Sequence, residues 1–73
     1  DFETDDIYLA SYLDLSGCTL SRTRKHGQKV YFVFTNPIGD FSALRHAYFS
    51  GQGKIPAQPY ASKVVAYKQM CFE

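Results

Sequence analysis

The side chains best suited to nucleophilic or acid–base chemistry are Cys18, Cys71, His26 and His46. A nucleophile needs a base within hydrogen-bond reach, and the base needs a third group that orients it. His26 falls in a hairpin turn at the far end of its strand from Cys18, roughly 25 Å away at about 3.3 Å per residue. His46 meets Cys71 only if two helices pair, and both positions stand among Phe, Leu and Val. No catalytic residues are expected, and the reading is of a protein that is not an enzyme.

Ligand-binding patterns are equally sparse. Asp1, Glu3, Asp5 and Asp6 offer carboxylates to a hard cation, but a calcium loop places a turn-making Gly among its ligands and closes on a distant Glu. Two cysteines this far apart do not form a zinc pattern, and buried free thiols are preferred to a disulfide. Gly51-Gln52-Gly53-Lys54 has the glycines and lysine of a phosphate cradle. It lies between two helices instead of after a strand, and no hydroxyl follows the lysine. No metal or cofactor is expected.

Charge distribution carries a sharper signal. The formal charge is only +1, yet Asp1, Glu3, Asp5, Asp6 and Asp14 are five of the seven acids, while Arg22, Arg24, Lys25 and Lys29 are half of the basic residues. The acids read as charge matching at a helix start, where free N–H groups and the helix dipole favour negative oxygen. The basic cluster, with Tyr31 beside it, reads as a candidate nucleic-acid contact, since cations along a phosphate backbone and a ring that stacks on a base are what such a surface needs.

The elements that position these residues follow from punctuation and periodicity. Thr4 caps a first helix with Asp5 and Asp6 in its first turn; it runs to about Leu15 and ends at Gly17 in the left-handed C′ position. Its apolar residues cover more than one face, so it is central or touches a partner. Cys18 to Thr35 reads as a hairpin turning at His26 and Gly27. Val30, Phe32 and Phe34 point to one face and Tyr31 and Val33 to the other, so this strand needs cover on both sides. Asp40 caps a second helix from Phe41 to Ser50, with Phe41, Leu44, Ala47 and Tyr48 as its apolar stripe and Gly51 as its stop. After a connector from Gln52 to Gln58, Pro59 opens a third helix whose Tyr60, Val64, Tyr67 and Cys71 share a face, widened by Ala61, Val65, Met70 and Phe72.

Register decides where the charges point. A two-residue loop at His26 and Gly27 pairs Lys29 with Arg24, Tyr31 with Arg22 and Val33 with Leu20, so that Arg22, Arg24, Lys29 and Tyr31 surround Leu20 and Val33 on one face. A three-residue loop, His26 to Gln28, would turn Leu20, Arg22 and Arg24 toward Phe32 and Phe34. The first register is preferred because unpaired guanidinium groups are costly to bury. Beside the nucleic-acid reading stand two others: a solvated edge that discourages aggregation, and a protein-docking surface.

The expected architecture is α+β, one β-hairpin packed with three helices in the order α-β-β-α-α, in one small domain over residues 1–73. The run Thr4 to Leu13 with Gly17, then Val30, Phe32, Val33 and Phe34, then Ala47-Tyr48, Gly51 and Pro56-Ala57, resembles a family of short phage and bacterial proteins of unknown function. The resemblance implies a compact domain and brings no activity with it. At 73 residues any site must share side chains with the core. Six Tyr and six Phe supply that core, and six hydroxyls are many to bury, so several tyrosines belong at its rim or on a surface that meets something else. No apolar run spans a bilayer and no signal peptide is read, which suggests a cytoplasmic protein with no membrane partner. The chain opens on Asp1 without Met, which fits a trimmed N-terminus. Candidate partners are nucleic acid through the hairpin, or a protein, including a second copy of the chain as a homodimer.

Overall fold

A computed structural model describes residues 1–35, 41–51 and 55–71. The elements are β1 (Phe2–Thr4), α1 (Ile7–Leu15), β2 (Thr19–His26), β3 (Lys29–Thr35), α2 (Phe41–Phe49) and α3 (Ala57–Met70). The α+β architecture with a hairpin and three helices is present, and a short N-terminal strand joins it. The strands form an antiparallel sheet in the order β1-β3-β2, which places the most apolar strand at its centre.

That extra strand revises the N-terminus. Phe2 pairs with Phe34, Glu3 with Val33 and Thr4 with Phe32. Thr4 therefore lies in a strand and does not cap the helix. Asp6 does so, its Oδ1 accepting from the Tyr8 N–H at 2.9 Å and the Leu9 N–H at 3.3 Å, while the Thr4 hydroxyl oxygen accepts from the Asp6 N–H at 3.1 Å. Three residues were too few to show a strand period beside a strong capping signal. The helix ends as expected. Gly17 has φ 101°, the Cys18 N–H reaches the Leu13 carbonyl at 3.0 Å and the Gly17 N–H reaches that of Asp14 at 3.2 Å, the paired bonds of a Schellman motif.

The core lies between the Phe32–Phe34 face of the sheet and α1 and α3. Leu9, Ala10, Tyr12 and Leu13 of α1 meet Phe32 and Phe34 of β3 there, with Tyr67 of α3 inserted among them. The Tyr67 ring stands edge-on to Phe32, centroids 4.9 Å apart at 88°. Its hydroxyl donates to Asp14 Oδ2 at 2.7 Å, and Lys63 Nζ lies 3.2 Å from Oδ1 of the same carboxylate. This side chain is large enough to fill the space between sheet and helices, and its one polar atom is satisfied. Helix α2 docks at the margin, Phe41 stacking on Phe2 at 5.4 Å.

Helix α3 begins at Ala57, with Pro56 in the cap position and Pro59 in the first turn. Tyr60, Val64, Tyr67 and Cys71 are half-buried or buried, while Ala61 and Val65 are exposed. Asp40, Phe72 and residues 52–54 of the connector lie outside the described residues. Cys18 is buried and Cys71 half-buried, both as free thiols. No helix among the described residues is long and apolar enough to cross a membrane.

Candidate binding surfaces

The hairpin adopts neither register expected from its sequence. His26 pairs with Lys29, Lys25 with Val30, Arg24 with Tyr31 and Arg22 with Val33, which makes Gly27 and Gln28 the two-residue loop. Gly27 has φ 62° and none of the described non-glycine residues has positive φ, so the loop is of the type with glycine at its first central position. Glycine there matches the strand twist at no steric cost, and this preference moved the turn one residue along. Toward the start of β2 a bulge between Leu20 and Arg22 leaves Ser21 without a partner and sets Leu20 against Phe34.

These two departures have different consequences. Moving the turn by one residue shifts the pairing by two, an even number, so Arg22, Arg24, Lys29, Tyr31 and Val33 still share a face. The bulge is an odd insertion, and it carries Leu20 off that face to pack against the core. Lys25 lies opposite Val30 on the core side. There it lines a cleft of about 320 Å³ with Thr23, Val30 and Met70. Arg22, Arg24, Lys29 and Tyr31 thus lie together around Val33 as the alternation predicts, while Leu20 leaves the expected face.

Acids that the sequence reading assigned to a helix start occupy this basic face. Glu3 on β1 receives Arg24, whose Nε donates to Oε2 at 3.2 Å while Nη2 reaches Oε1. The same guanidinium lies 4.6 Å above the Tyr31 ring. The hydrogen bonds from Arg24 hold the Glu3 carboxyl below its usual range, and those to Glu3 raise Arg24 in turn. Lys29 Nζ lies 3.6 Å from Asp5. Arg24 and Lys29 are thus matched by local carboxylates, and the exposed Arg22 adds its field to Glu3.

A second surface, on the helical side, is foreshadowed in the sequence by the tyrosine count and the apolar first helix. Tyr12, Tyr48, Ile55, Ala57 and Tyr60 line a cleft of about 340 Å³. Tyr12 on α1 and Tyr48 on α2 present rings 5.3 Å apart at 48°, and Phe49 stands edge-on to Tyr48 at 5.1 Å. The Tyr60 hydroxyl donates to the Tyr8 carbonyl at 3.1 Å, which ties α3 to the first turn of α1. At the rim, Tyr8 is 53% and Phe49 67% exposed. Helical spacing gave each ring a place on its own helix. Only the packing of α1 against α2 and α3 gathered them.

Burial chiefly, with the Tyr60 hydroxyl and the Asp6 carboxylate nearby, pushes the Tyr48 phenol up to about 12. Tyr60 is raised for the same leading reason. Neutral phenols are hydrogen-bonding groups and π faces at pH 7, whereas a catalytic base needs a value near the working pH.

Comparison with family models finds no match, and neither comparison with curated proteins nor comparison with solved structures finds one.

Proposed function

We propose that this protein is a small non-enzymatic binding module that docks a protein partner through the tyrosine-lined cleft and the aromatic rim around it. The supporting observation is the convergence of Tyr12, Tyr48 and Tyr60 from three helices on one concavity, with Phe49 exposed beside it. Aromatic side chains give large contact area at low entropic cost and dominate binding hot spots. The test is to pan a displayed random-peptide library on the wild-type protein and measure the enriched peptides against a Phe49→Ala, Tyr60→Phe double variant. Peptides bound at least ten-fold more weakly by the variant support the proposal. Peptides bound equally by both overturn it.

A second reading, single-stranded nucleic acid on the opposite sheet face, is favoured by the stacking of Arg24 on Tyr31 with Arg22 alongside. Glu3 and Asp5 weigh against it, because phosphates would have to displace or neighbour those carboxylates. Fluorescence anisotropy with single- and double-stranded oligonucleotides at two salt concentrations separates the readings. Protein docking predicts nothing tighter than about millimolar at low salt, whereas a nucleic-acid role predicts tighter binding that falls steeply with salt.

A further inference from the structure

The cleft has a charge character as well as an aromatic one. Three tyrosines line one open cleft, and aromatic side chains attract cations to their faces. Hydrogen bonding at the α1 start links a carboxylate to the cleft. Asp6 caps the helix through the Tyr8 N–H, and the carbonyl of that same Tyr8 accepts from the hydroxyl of Tyr60, which lines the cleft. Its field reaches both Tyr48 and Tyr60. Among the described residues, Lys63 pairs with Asp14 and Arg45 lies over the Phe2 ring.

Resting on the docking reading above, we infer that the occupant of the Tyr12–Tyr48–Tyr60 cleft is a cationic side chain, Arg or Lys, of a basic segment of the partner protein. The alkyl stem would lie against Ile55 and Ala57, and the head would sit among the ring faces toward Asp6. A volume of about 340 Å³ accommodates one such side chain rather than a folded element. A planar guanidinium stacks on rings better than an ammonium does, so Arg is favoured over Lys.

The experiment titrates the protein with short acetylated, amidated glycine peptides carrying a single central Arg, citrulline, Lys or norleucine. Citrulline and norleucine keep the shape of Arg and Lys and lose the charge. Binding is read from the aromatic ¹H–¹³C resonances of Tyr12, Tyr48 and Tyr60 at constant salt. The expected result is saturable shifts at those rings with Arg at least about five-fold tighter than citrulline, and Lys tighter than norleucine. Asp6→Asn keeps a capping oxygen while removing the charge. It is expected to weaken the Arg peptide about three-fold and leave norleucine unchanged. Equal binding of charged and neutral peptides, or Arg shifts confined to residues outside the cleft, overturns the cation inference. The docking reading then stands or falls separately on the library peptides. Peptides that need Phe49 and Tyr60 yet carry no cationic preference would retain docking and remove the charge.

Discussion

Asp14 shows how one side chain sets the limits of substitution in a small core. It accepts from the Tyr67 hydroxyl and pairs with Lys63, so the interior tyrosine has both an apolar role and a polar one. Tyr67→Phe keeps the ring against Phe32 and removes only the hydrogen bond. It is expected to cost about 1–2 kcal/mol, seen as a lower urea midpoint at unchanged slope. Tyr67→Ala also opens a cavity and should cost about 3–5 kcal/mol, enough to threaten folding. At the surface, Glu3 makes a different kind of contribution. Arg24 holds its folded pKa below the usual 4.5, so its stabilisation is present above that value and is lost as pH falls through the folded value. Glu3→Gln should therefore flatten the acid limb of the stability–pH curve, measured by urea midpoints across the acid range. An unchanged limb would mean the ion pair is energetically silent.

Capping and turn chemistry govern the elements. Asp6 satisfies two N–H groups at the start of α1. Asp6→Ala should lower stability by about 1 kcal/mol and Asp6→Asn by much less, a difference readable in thermal midpoints. The hairpin depends on Gly27 at φ 62°, where no atom lies within 4 Å of an added Cβ. Gly27→Ala therefore introduces backbone strain without a clash, about 1–2 kcal/mol. A smaller loss would show that the loop relaxes to another turn type. The bulge at Ser21 acts on the same ribbon in a different way. It bends the edge strand and returns Leu20 to the core, leaving a face of charged and aromatic side chains around Val33, which is itself only 3% exposed.

For the whole molecule, the tyrosines link stability to alkaline pH. Burial raises Tyr48 to about 12 and moves Tyr67 further in the same direction. A folded pKa above the unfolded value of about 10 stabilises the protein fully below pH 10, and that contribution fades as pH rises through the folded value. The fold should hold to about pH 10 and unfold cooperatively above it, with phenolate absorbance and loss of circular dichroism rising together. Early, non-cooperative titration of all six tyrosines would contradict the burial of Tyr48 and Tyr67.

Much of the fold is legible from local rules. Gly17 and Gly51 end their helices, the β-branched and aromatic run makes β3, and the 3.6-residue spacing of Tyr60, Val64 and Tyr67 faces α3 inward. These are properties of short segments, where capping, propensity and periodicity act within one or two turns. The shared face of Arg22, Arg24 and Tyr31 was legible too, because side-chain alternation tolerates a shift of two. Three features depended on contacts between distant segments. Strand β1 exists because β3 offers Phe2 and Glu3 an edge, and that pairing brings Glu3 onto Arg24. The bulge at Ser21 moves Leu20 to the core. The tyrosine cleft exists because α2 and α3 pack around α1. Composition announced more phenols than a small core can hold, but a count has no direction, and only tertiary packing could bring Tyr12, Tyr48 and Tyr60 to one concavity.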